Sequence, residues 1–93
     1  MYTIIGSGFG LYGYLPAILH YLRADVVLPV RYKKKIESRK DLKCLSNKIN
    51  WVDDLDSALE ISDSVVFSLP PDLQSRFARH CFRFSNISKF VLE

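Results

Sequence analysis

The four glycines of this 93-residue chain all fall between positions 6 and 13, in the string Ile5-Gly6-Ser7-Gly8-Phe9-Gly10-Leu11-Tyr12-Gly13. A short apolar run, Tyr2 to Ile5, precedes the string. After it, Leu11, Leu15, Ile18, Leu19 and Leu22 recur on one helical stripe. In a strand-turn-helix of this kind the first glycine permits a tight turn, and the second lets a pyrophosphate approach bare backbone. The helix N-terminus behind them offers unpaired N–H groups and a partial positive charge. The string is therefore a candidate cradle for the phosphates of a dinucleotide. Two other readings stay open on these residues alone: the GxGxG turn of methyl-donor-binding proteins, and a glycine turn with no ligand.

A second candidate stands at the end of the second apolar run. NAD enzymes commonly place an acid there, about 20 residues past the glycines, to hold the ribose hydroxyls. This chain has Arg31, 23 positions after Gly8, followed by Tyr32 and Lys33 to Lys35. A guanidinium grips a 2′-phosphate bidentately and stacks on adenine, whereas a carboxylate would repel that phosphate. The residue type favours NADP over NAD as cofactor. The lysines read equally well as a solvated helix start. From Arg31 to Lys48 there are eight basic residues against two acids, Glu37 and Asp41, within a net charge of +3. Tyr32 and Trp51 are interleaved with them, but no recognised nucleic-acid motif is present, so nucleic acid is not an expected partner.

The elements that must position these residues follow from periodicity. Tyr2 to Ile5 reads as a strand. Regular helix is expected to begin near Gly13, which places Pro16, a residue without an N–H, in the first turn. Asp25 to Val30 is the second strand, apolar on both faces, with Pro29 placing it near a sheet edge or ending its pairing. Lys33 to Leu45 is expected as a polar helix with a thin apolar side of Ile36, Leu42 and Leu45. Ile49 to Val52 forms a third strand, and Asp53-Asp54 starts a helix through Ile61 with acids at its positive end. Asp63 to Leu69 is the fourth strand, stopped by Pro70-Pro71. Leu73, Phe77, Cys81 and Phe84 mark the helix that Asp72 begins, and Phe90 to Leu92 is a fifth strand. This order predicts an α/β fold: a Rossmann-type parallel sheet, helices on both faces, in a single three-layer domain. Right-handed crossovers put the carboxyl ends of the strands on one rim, and ligands bind there where strand order reverses.

Composition narrows the classes. Hydrophobic residues make up 48% and charged residues 25% of the chain, which suits one ordinary globular domain and excludes a complete two-domain dehydrogenase. No apolar run approaches the ~20 residues of a membrane span. No basic segment precedes the apolar N-terminus, which argues against a signal peptide. Cys44 and Cys81 lack metal-ligand spacing and are too few for a disulfide scaffold, so free thiols in a cytoplasmic protein are expected. His20 and His80 have no partners at ligand spacing, and no metal is expected. Phe77, Phe82, Phe84 and Phe90 are expected in the core or a buried interface. Apolar residues near the C-terminus are expected to be exposed if a following domain has been removed.

The stretch GSGFGLYGYLPAI resembles the first turn of the Gfo/Idh/MocA oxidoreductases, a GxGxG turn followed by histidine and a Pro-Ala-Leu-like helix. Three further segments resemble that family in order: Trp51-Val52-Asp53-Asp54-Leu55 with Ala58-Leu59, then Asp63 to Pro71, then Val91-Leu92-Glu93. The resemblance implies the nucleotide-binding part, residues 1–93, of an NAD(P)-dependent oxidoreductase of carbohydrate metabolism, inactive alone. A sugar-like substrate would be bound through a C-terminal domain missing here, and a homo-oligomer would be compatible. By the same resemblance Gly6, Ser7, Gly8, Phe9, Gly10 and Leu11 would cradle the pyrophosphate. Ser68, Leu69, Pro70 and Pro71 would line the adenosine and nicotinamide side, with Gln74 beside them. Glu93 would stand just ahead of the family's catalytic lysine, which lies beyond this chain, so no catalytic residue is assigned. Tyr14 and Gln74 occupy positions where the family usually has histidine; both can hydrogen-bond, but neither titrates near neutral pH. These replacements keep a non-catalytic nucleotide-binding module as the alternative.

Overall fold

The computed structural model describes residues 1–6 and 9–92. Five strands, β1 (Tyr2–Gly6), β2 (Val26–Pro29), β3 (Ile49–Val52), β4 (Ser64–Ser68) and β5 (Lys89–Leu92), form one parallel sheet in the order β3-β2-β1-β4-β5. Four α-helices connect them: α1 (Phe9–Pro16), α2 (Lys33–Glu37), α3 (Leu55–Ile61) and α4 (Pro71–Cys81). Successive strand residues point to opposite faces, and the core divides accordingly. Ile4, Val26, Leu28 and Val66 join Leu11, Leu15 and Ile18, together with Ile36, Leu42 and Leu45. Ile5, Val65 and Phe67 face the other way, onto Leu59 of α3, Cys81 of α4 and Ile87. Strands covered on both faces are apolar at most positions, which is why Val26–Pro29 and Val65 to Phe67 read as unbroken runs. The architecture is the expected α/β Rossmann-type sheet in three layers.

Several elements depart from the sequence reading. Helix α1 begins at Phe9, not near Gly13, so Pro16 sits at its end with helical angles (φ −62°, ψ −37°). Lacking an N–H, Pro16 cannot donate to the carbonyl one turn back. The chain then widens into a π-helical turn, Ala17–Tyr21, in which the Leu22 N–H reaches the Ala17 carbonyl at 3.3 Å. The turn closes on Arg23, whose φ of 51° is left-handed. Strand β2 lies inside the sheet, between β3 and β1; Pro29 is accommodated because the strand ends there.

The segment Lys33 to Leu45 is not one helix. A 3-10 turn at Val30–Tyr32 precedes it; the segment itself holds the short α2 and, after a turn, the start of a 3-10 stretch at Lys43–Lys48. Ile36, Leu42 and Leu45 are nevertheless buried. On a straight α-helix Leu42 would lie about 240° around from Ile36 and could not share its face, so the chain must bend to bury both. Phe82 is 68% exposed, contrary to its expected burial, because Cys81 before it takes the inward position; its ring meets Phe90 edge-on at 5.4 Å.

Polar ties hold the lower ends of the elements. Ser62 donates to the Ala58 carbonyl at 2.7 Å, so the buried Thr3 hydroxyl donates to Ser62. Asn86 donates from Nδ2 to the carbonyls of Leu59 (2.8 Å) and Ser62 (2.6 Å), satisfying the end of α3 from a distant loop. No helix among the described residues is long and apolar enough to cross a membrane.

Candidate functional site

The chain lays down β1, β2 and β3 in one direction, then returns to the other side of β1 for β4 and β5. Strand order therefore reverses between β1 and β4, where parallel sheets leave a crevice beyond the carboxyl ends of their strands. Gly6 and Ser68, the last residues of β1 and β4, are paired in register at this point. Gly6 has φ +145°, a conformation that favours glycine. A Cβ there would lie 3.0 Å from the Ser68 carbonyl carbon and 3.1 Å from its Cβ, and closer still to the carbonyl oxygen. The two strand ends can approach this closely only because Gly6 has no side chain.

Ser7 and Gly8 of the proposed cradle, and Glu93, lie outside the described residues. Phe9 and Gly10 open α1, whose first-turn N–H groups have no carbonyl one turn back within the helix. Leu11 is fully buried and packs in the core cluster with Leu15 and Ile18. On the β4 side Ser68 is half-buried, Leu69 packs against the core beneath it, and Pro70 is exposed. Pro71 is the first residue of α4. Gln74 fixes this wall: its Nε2 donates to the Leu69 carbonyl at 2.8 Å, and its backbone N–H donates to the Pro70 carbonyl at 3.0 Å.

On the other side of β1, Arg31 follows the end of β2. It is exposed, with its guanidinium carbon 5.2 Å from the centre of the Tyr32 ring, and Lys35 Nζ lies 6.0 Å from the same ring. Strands β2 and β4 flank β1, so the ends that carry Arg31 and Ser68 stand about 10 Å apart.

Sequence reasoning missed a further contact. Arg39 stacks its guanidinium 4.2 Å from the ring centre of Tyr12, on α1, tying the basic segment to the helix that follows the glycines. Arg39 also bonds Asp41 at 3.3 and 3.4 Å, which holds that carboxyl below its ordinary value. No local spacing connects Tyr12 to Arg39, so only the fold reveals the pair. Tyr12, Tyr14 and Tyr32 all pack against the same core cluster.

Away from the rim, His80 pairs with Asp56 at 2.6 Å between α4 and α3. The adjacent Cys81 is buried, and burial, with the Asp56 charge, pushes its thiol up to about 11. A thiol so protonated is not a nucleophile at neutral pH. Cys44 is exposed, and both cysteines are free. Among the described residues no three His, Cys, Asp or Glu side chains gather as a metal site. Comparison of the chain with protein-family models, with curated proteins and with solved structures finds no match in any of the three.

Proposed function

We propose that this chain binds a nicotinamide dinucleotide across the carboxyl ends of β1 and β4, NADP in preference to NAD. It would do so as the nucleotide-binding part of an oxidoreductase of the Gfo/Idh/MocA kind, acting on a sugar or sugar nucleotide. The observation that carries this reading is the close approach of Gly6 to Ser68 at the reversal of strand order, the place where such sheets take ligands. The nicotinamide supplies hydride transfer when bound. The chain's own residues would bind and orient: the α1 N-terminus would face the pyrophosphate, Arg31 the 2′-phosphate, and the Gln74-braced turn the far wall. A non-catalytic nucleotide-sensing module has one observation in its favour, namely that Gln74, at the family's histidine position, serves the Leu69 backbone. Such a module would bind the same cofactor without turnover.

The role of Arg31 has its own test. Arg31→Asp is expected to weaken NADP binding more than tenfold, roughly 1.5–3 kcal/mol for a lost charge-assisted contact plus new repulsion, while sparing NAD. Equal losses for both cofactors, measured by calorimetry, would remove Arg31 from the site.

A further inference from the structure

The basic segment has a property that the dinucleotide reading does not use. Arg31 to Lys48 carries eight cations and two acids, net +6, whereas the rest of the chain carries five cations and eight acids, net −3. All eight cations are exposed. Both acids of the segment are already engaged: Asp41 by Arg39, and Glu37 by the hydroxyl of the buried Ser46 at 2.9 Å. Among the described residues Arg39 alone of the eight is in an ion pair. The bend that buries Ile36, Leu42 and Leu45 turns the intervening lysines outward along the β2–β3 side of the sheet. Within this field two guanidiniums lie on tyrosine rings, Arg31 on Tyr32 and Arg39 on Tyr12, both rings anchored in the core.

A solvated charge run needs neither the engaged acids nor the anchored platforms. A polyanion that carries both phosphates and flat rings uses both, because phosphates seek the lysines and bases stack on aromatic and guanidinium planes. A lipid surface offers the charge but nothing to stack. We propose that the Arg31–Lys48 face binds single-stranded nucleic acid without sequence preference, through its phosphate backbone and stacked bases. This revises the expectation drawn from the lack of a nucleic-acid motif, which does not bear on non-specific binding of this kind. It shares Arg31 with the dinucleotide reading but goes beyond it, since the other seven cations have no role there.

The test is fluorescence anisotropy of a labelled, mixed-sequence oligonucleotide of about 20 nucleotides, titrated with the full chain at several salt concentrations. If about five phosphates are neutralised, affinity is expected to fall roughly 100-fold between 50 and 200 mM salt. The triple variant Lys34→Gln, Lys40→Gln, Lys43→Gln, shown to be folded by circular dichroism, should flatten the log–log salt slope by about 2, near 0.7 for each cation removed. No binding at low salt would overturn the proposal, as would an unchanged slope in the triple variant. So would tighter binding to phosphatidylserine vesicles than to the oligonucleotide, which would assign the face to a membrane surface. Titrating the triple variant with NADP separates the two readings: the dinucleotide site is expected to be unaffected, and its failure would leave the nucleic-acid result standing.

Discussion

Gly6 and Gly13 carry opposite expectations although both belong to one glycine-rich string. At Gly6 an alanine meets both a φ of +145° and the backbone of Ser68, so Gly6→Ala should destabilise the fold by about 2–5 kcal/mol through strain and overpacking. At Gly13 nothing lies within 4 Å of an added Cβ, on an exposed face inside α1. Gly13→Ala should therefore stabilise by about 0.5–1 kcal/mol. Urea unfolding of the two variants reads both values, and a mild effect at position 6 would mean that the ends of β1 and β4 are not held together as described. At this scale the sequence was legible where chemistry is local. Arg31 stands at the end of the second strand, as its distance from the glycines implied. The Tyr12–Arg39 and His80–Asp56 contacts join residues far apart in sequence and on different elements, and no periodicity points to them.

Elements were legible where a single apolar stripe repeats and obscure where it does not. The fourth strand and the start of the helix after it lie within a residue of their expected bounds, because an unbroken apolar run and a Pro-Pro stop leave little choice; the helix ends at Cys81, short of the expected Phe84. Pro16 misled. It fits a first turn, but it also fits the end of a helix that continues as a π turn, and the stripe Leu11, Leu15, Ile18 serves both cases. The Lys33 to Leu45 stretch is obscure because Ile36, Leu42 and Leu45 do not share one face of a straight helix. What completes α3 was also hidden, since its last carbonyls are met by Asn86 from beyond α4. Asn86→Ala leaves those partly buried acceptors without this donor and should cost about 1–3 kcal/mol in thermal or urea unfolding. A change within 0.5 kcal/mol would mean that water serves α3 equally well.

For the whole molecule, alternation of strands and helices foretold the layers but not the strand order. Each crossover can extend the sheet or return across it, and nothing in Asp53 to Ile61 says which. The return after β3 creates the crevice between β1 and β4, and it places the basic segment on one side of that crevice and the α4 turn on the other. The central claim is that the β1–β4 switch point holds a dinucleotide and that Arg31 selects the phosphorylated one. Calorimetric titration of the chain with NADP and with NAD at low salt tests it most directly. The account predicts saturable binding of both, tighter for NADP. Absence of binding by either cofactor to a folded sample would contradict it.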